Sequence, residues 1–262
     1  MVDIFGILAR TFLALAPAPA PAHIVTSIPL VATPTPIAQA GKLTADDAVT
    51  KVQAFYANIN QVSAKFRQHV ANATFGSDST SDGAVYIQKP GKMRWEYVVT
   101  RKGAPVVTKL FVSNGTWLYV VEKDNLQVSK KDLSHEAMPV AISFLYGKGD
   151  LKSTFNAELD PSSSYGGKDK VVLKLTPKQP TAQYKTLVLV VNASDYHVTQ
   201  SIITDSNNNT NRFEFFEPNF KAAIPAAKFE FDPKKDTPNY RLIDLDQQQQ
   251  AGGPAPEAPA KK

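Results

Sequence analysis

The 262-residue chain has no cysteine. That excludes a disulfide framework, a thiolate metal site, a cysteine nucleophile and a lipid-modified amino-terminal cysteine. Histidine is scarce too. His23, His69, His135 and His197 show neither HxxxH nor HxH spacing, so no zinc site is expected. Serine is plentiful, but no G-x-S-x-G elbow accompanies it. Gly147-Lys148-Gly149 lacks the remaining parts of a phosphate loop, and Asp205 with Asn207–Asn209 lacks the ligand spacing of a calcium loop. Neither an enzyme nor a cofactor is expected. The net charge is +5, without a run of Lys or Arg, so no nucleic-acid partner is expected. The leading apolar run, IFGILARTFLALA at 4–16, is too short to span a bilayer and is broken by Arg10.

The two ends differ from the middle. Residues 1–40 combine that run with PAPAPA and IVTSIPLVATPTPIAQA, and Ala38-Gln39-Ala40 matches the small-x-small pattern before a signal-peptidase cut. Export, with a mature start near Gly41, is the reading; a Pro-rich leader on a cytosolic protein is the alternative. Residues 247–262, QQQQAGGPAPEAPAKK, are low in complexity. Residues 41–246 remain as one domain.

Within that domain, Thr44 and Asp47 form a capping box ahead of Val49, Val52, Phe55, Tyr56 and Ile59 at helical spacing, predicting a helix over 44–60. At Val62 the period becomes two. A polar loop from Phe75 to Gly83 is expected next, then GAVYIQKP, a Pro90-Gly91 turn and KMRWEYVV. KLFVS and TWLYVVE flank Asn114-Gly115, a strong hairpin signal. Further strands are expected at 126–130, 153–159, 170–176, 186–192, 197–204, 210–217 and 227–233. The segment 138–147, MPVAISFLYG, reads as a short apolar helix ended by Gly147. The fold class is mainly β, an unclosed antiparallel barrel of about eleven strands covered by helices.

Alternate strand residues then face the space under the helices. In QKPGKMRWEY at 88–97, Met93, Trp95 and Tyr97 share one face, while Arg94 and Glu96 share the other. Phe66, Leu118 or Tyr119, Leu189, Phe213 and Phe229 are expected to join the first three. Filled by side chains, this space is an ordinary core; with a more strongly curved sheet it is an apolar pocket.

The chain resembles the periplasmic outer-membrane lipoprotein carriers, the LolA family, from about Leu43 to Asp232. The resemblance rests on the opening helix and on Val62-Ser63-Ala64-Lys65-Phe66-Arg67-Gln68. It continues through Lys89-Pro90-Gly91-Lys92-Met93-Arg94-Trp95-Glu96-Tyr97, Asn114-Gly115-Thr116-Trp117-Leu118-Tyr119, Gln127-Val128 and Pro139 to Gly147. Asn209-Thr210-Asn211-Arg212-Phe213-Glu214-Phe215 and Phe229-Glu230-Phe231-Asp232-Pro233 complete it. It implies a half-barrel with an α-helical lid over a hydrophobic cavity that shelters the acyl chains of triacylated lipoproteins in the periplasm. An ATP-driven inner-membrane release complex would supply the cargo, and an outer-membrane lipoprotein receptor would take it. Phe66, Met93, Trp95, Tyr97, Leu118, Phe213 and Phe229 would line the cavity, and Ile142, Phe144 and Leu145 would form the lid. Lys89 stands where the family often has an arginine that closes the lid, so closure here would rest on an ammonium without a planar fork. A monomer is expected. The alternative function is a lipid- or lipoprotein-sensing regulatory domain of the same fold.

Overall fold

The structure is a computed structural model and describes residues 43–73, 76–133, 150–181 and 184–247. The leader, the tail beyond Gln247 and the helix expected at 138–147, with Ile142, Phe144 and Leu145, lie outside the described residues. Helix α1 (Ala45–Asn58) is followed by β1 (Gln61–Asn72), β2 (Ser77–Gln88), β3 (Lys92–Arg101), β4 (Ala104–Asn114), β5 (Trp117–Glu122) and β6 (Gln127–Asp132). Next come the one-turn α2 (Leu151–Thr154), β7 (Phe155–Leu159), β8 (Lys170–Pro177), β9 (Thr186–Asn192), β10 (Val198–Thr204) and β11 (Thr210–Asn219). A 3-10 turn (Ala226–Phe229), α3 (Pro233–Asp236) and β12 (Arg241–Asp244) end the described chain.

Among the described residues, twelve strands form one sheet in the order β12-β6-β5-β4-β3-β2-β1-β11-β10-β9-β8-β7. Its two outer strands, β12 and β7, do not pair, so the barrel is unclosed, as its sequence implies. Every pairing is antiparallel except that of β12 with β6. The first six strands form a meander; β11 then returns to lie beside β1, joining that meander to the one from β7 to β11.

The capping box forms as its sequence requires. Asp47 N–H donates to Thr44 Oγ1 at 3.1 Å, and Thr44 N–H donates to Asp47 Oδ2 at 3.2 Å. Helix α1 buries Ala48, Val49, Val52 and Tyr56 against Leu173, Leu175, Leu187, Leu189 and Val191 on the concave face. At Asn114-Gly115 the side-chain Oδ1 of Asn114 accepts from Thr116 and Trp117 N–H at 3.0 Å each, and Gly115 takes φ +101°. That conformation is open to glycine and strained for other residues.

Three expectations are corrected. The polar stretch from Ser77 to Gly83 is the first half of β2, because β1 pairs with it residue by residue out to Asn72 opposite Ser77; tertiary pairing overrides low strand propensity. The segment at 227–233 is no strand: Ala227 to Phe229 lie in the 3-10 turn, residues 230–232 connect it to α3, and Pro233 is the first position of α3. The strand expected at 153–159 begins only at Phe155, since Asp150 caps α2 by accepting from Lys152 N–H at 2.9 Å. The four-residue β12 has too little alternation to be read from sequence.

Gly83 is required for packing. It lies between Phe66 on β1 and Tyr97 on β3, and a Cβ there would come within 2.1 Å of the Glu96 carbonyl oxygen and 2.5 Å of Phe66 Cζ. Gly83→Ala should destabilise the fold by about 1–3 kcal/mol through overpacking. Denaturant unfolding checks the magnitude. An altered native tryptophan emission should accompany it, because the displaced Phe66 ring lies 5.2 Å from Trp95.

Candidate functional site

The concave face carries two apolar regions of different character. Beneath α1 the core is mainly aliphatic. Beside it, β1 to β5 and β11 bring together Phe66, Val85, Ile87, Met93, Trp95, Tyr97, Phe111, Leu118 and Phe213, and among the described residues no helix contributes to this cluster. Phe66 is its hub. Its ring centroid lies 5.2 Å from Trp95, 5.0 Å from Tyr97 and 5.7 Å from Phe213, all tilted or edge-on. Such arrangements suit the ring quadrupoles better than face-to-face stacking. Phe215 packs against both regions and lies 6.3 Å from Trp95.

Six of the seven candidate lining residues therefore meet: Phe66, Met93, Trp95, Tyr97, Leu118 and Phe213. Phe229 does not join them. The 3-10 turn that carries it packs on β3 and β4 from the side of Arg94 and Glu96. Arg94 Nη1 donates to the Lys228 carbonyl at 3.2 Å, Arg94 Nε pairs with Glu96 at 2.5 Å, and Lys228 Nζ lies 4.4 Å above the Tyr86 ring. Phe229 is buried on the convex face because 227–233 leaves the sheet and crosses it. Leu189 belongs to the aliphatic core under α1, and Tyr119 faces Phe231 on the convex side, with ring centroids 5.3 Å apart.

Lys89 reaches helix α1. Its Nζ donates to the carbonyl of Tyr56 and, at 3.4 Å, to that of Ala57. These oxygens lie at the helix C-terminus, where the dipole is negative and the helix supplies no basic residue of its own. Partial burial draws the Lys89 ammonium below the usual lysine range. One turn of sheet thus holds the end of α1 beside the aromatic cluster. Tyr56 holds it from the other side, its hydroxyl oxygen accepting from Val198 N–H at 3.0 Å. Burial pushes that phenol far above its ordinary value.

The polar members of the concave face escape sequence reading, because alternation marks position and not role. Met93, Ser113, Leu118 and Lys131 form one cross-strand row over β3 to β6, and Ser113 and Lys131 are buried with the apolar pair. Gln68 and Asn211 are buried on the same face, two residues from Phe66 and Phe213 respectively. The only available signal was their phase with those aromatic residues. Of the histidines within the described residues, His69 pairs with Thr80 and His197 with Asp195.

The site is thus an unclosed β-sheet that gathers aromatic side chains on its concave face. The family model "Outer membrane lipoprotein carrier protein LolA" matches residues 57–232. The outer-membrane lipoprotein carrier protein of Chromobacterium violaceum is 28% identical over 188 residues, covering 72% of this chain and 84% of the relative. That of Ralstonia nicotianae is 29% identical over 195 residues, with the same two coverages. A LolA superfamily protein of Nitrosomonas europaea, solved by crystallography, is similar at 13% identity and a TM-score of 0.39, covering 73% of this chain and 99% of that one. The chain belongs to the LolA family of outer membrane lipoprotein carrier proteins.

Lys89→Met should remove both bonds to the end of α1 at a cost of about 1 kcal/mol. Hydrogen exchange should quicken in the last turn of α1 and stay unchanged in β8 and β9. Equal protection in the two proteins would show that the ammonium does not hold the helix.

Proposed function

We propose that this protein is a periplasmic carrier that takes lipoproteins from the inner to the outer membrane with their acyl chains sheltered on the aromatic half of the concave face. The observation that carries the reading is the cluster around Phe66 on an unclosed sheet, in a chain of the lipoprotein-carrier family. Each CH₂ of an acyl chain left in water costs about 0.8 kcal/mol, so a lipidated protein needs an apolar shelter to cross an aqueous space. The shelter must also release its cargo, and tilted rings with an adaptable Met93 suit reversible filling better than a close-packed aliphatic core.

In this reading the cargo is a triacylated lipoprotein, supplied by an ATP-driven inner-membrane release complex and passed to an outer-membrane receptor. Carriage of this kind needs no catalytic group. Phe66, Met93, Trp95, Tyr97, Leu118 and Phe213 would form the acyl-chain wall, and the family resemblance assigns the lid to Ile142, Phe144 and Leu145, outside the described residues. Lys89 controls closure through its hold on α1. Met93 and Trp95 are nearly inaccessible, so entry of a chain requires side chains around them to move.

The test is a release assay in which the purified protein is added to spheroplasts of a Gram-negative cell. A soluble one-to-one complex with a triacylated lipoprotein is expected in the supernatant. Its absence, with free phospholipid still bound, would replace the carrier by a lipid sensor. Phe215→Asp puts a charge on a half-buried position at the seam of the two apolar regions. It should lower the yield of complex at least about tenfold, because a buried carboxylate beside acyl chains is strongly disfavoured. Far-UV circular dichroism should be unchanged.

A further inference from the structure

The concave face changes chemistry toward one end. Gln68 follows Phe66 by two residues on β1, and Asn211 precedes Phe213 by two on β11, so both side chains share the face of the aromatic cluster. They lie toward the end of β1 remote from Lys89. Gln68 is 6% exposed and Asn211 2%. Gln68 Nε2 donates to Asn211 Oδ1 at 2.9 Å. Asn211 Nδ2 is buried and has no hydrogen-bond partner among the described residues.

A buried amide donor without an acceptor is uncommon in folded proteins and calls for a ligand, a water molecule or a role. Gln68 accounts for the Asn211 oxygen, which fixes the amide and leaves its NH₂ group as the free end. The acceptor that completes the pair must be neutral. Asn211 stands opposite Val70 and Ile203, and Gln68 stands opposite Ser81. None of these carries a charge that could compensate a carboxylate or phosphate brought out of water. A carbonyl oxygen meets the requirement, since it accepts hydrogen bonds and needs none in return.

We propose that the Gln68–Asn211 pair is a binding site for a neutral acyl carbonyl, the ester or amide linkage of a fatty chain lying along the aromatic cluster. Asn211 Nδ2 donates to the carbonyl oxygen, and Gln68 is a positioning residue that orients the Asn211 amide. The site sets direction as well as affinity: the linkage rests at the Asn211 end and the hydrocarbon runs over Phe213 and Phe66 toward Trp95 and Met93. The inference rests on the carrier reading and adds to it a polar stop for the chain.

The test uses the full chain carrying Trp117→Phe, so that Trp95 is the reporter; Trp117 lies outside the cluster, under Lys130. Methyl laurate, N-methyl lauramide and tetradecane, matched in length and delivered from cyclodextrin, are titrated against Trp95 emission. The carbonyl stretch of the bound ester and amide, carbon-13 labelled, is read by infrared spectroscopy. The ester, the amide or both should bind about fivefold more tightly than tetradecane, as one hydrogen bond allows, with the stretch of the preferred probe moved to lower frequency. Which probe is preferred identifies the linkage. Asn211→Leu should abolish preference and frequency shift together, while tetradecane binds as before. If all three probes bind the unsubstituted protein equally and neither carbonyl shifts, the site is refuted and a buried water serves Asn211, with the carrier reading intact. If none of the three binds, the carrier reading and this site fall together. The comparison of probes on the unsubstituted protein decides the matter even if Asn211→Leu does not fold.

Discussion

The aromatic half of this protein depends on one contact, the Phe66 ring lying over the bare backbone of Gly83. Phe66 on β1 and Tyr97 on β3 are separated by β2, and rings on alternate strands meet only if the strand between them offers no side chain at that point. Gly83 supplies the gap, and the two rings come to 5.0 Å. From that position Phe66 also reaches Trp95 and Phe213, so the adjoining strands of the sheet contribute to a single cluster. A side chain at 83 would push the Phe66 ring away from Tyr97. The glycine weakens its strand locally, and the cross-strand aromatic contact offsets that loss.

The same concave face is finished in two ways. Under α1, branched aliphatic side chains from β8 and β9 interlock with Val49 and Val52, a packing that fixes one arrangement. On the other half, planar rings meet at tilted angles around Phe66, and no described helix adds a side chain. Phe215 joins the halves. Rings that can tilt and a methionine that can change rotamer admit more than one filling at similar energy, whereas an aliphatic core loses contacts outright when displaced. In the proposed carrier, the helix-covered half would serve as the frame and the aromatic half as the adaptable wall.

Much of this was legible in the sequence for reasons that can be named. Thr44 and Asp47 announce α1 because their side chains complete the first turn by themselves, and Asn114-Gly115 announces a hairpin because few other pairs adopt its backbone. Met93, Trp95 and Tyr97 share a face by alternation alone, and the structure unites them. Long-range information was missing where the reading failed. Nothing local in Ser77–Gly83 marks a strand; β1 imposes it. Phe229 and Phe231 alternate as strand residues do, yet Pro225 and Pro233 flank them and the segment leaves the sheet. The helix C-terminus that receives Lys89 also lies far away in sequence, so its partners could not be read from the hairpin itself.

The C-terminal segment shows why an unclosed sheet can keep its shape. A barrel is stabilised by closure, and an open sheet of twelve strands must resist flattening by other means. After β11 the chain crosses the convex face, where Lys228 joins Glu96 and Tyr86, Phe231 covers Tyr119, and Tyr240 packs with Leu110, Val112 and Val121. It then adds β12 to β6, and Asp246 accepts from Asp132 N–H at 2.8 Å. The strap covers the back of the strands whose front bears much of the aromatic cluster. Among the described residues, this strap holds the aromatic half from the convex side, while α1 packs on the aliphatic half of the concave face. That division of labour would suit the proposed carrier function, because the contacts of the strap lie on the face opposite the aromatic cluster.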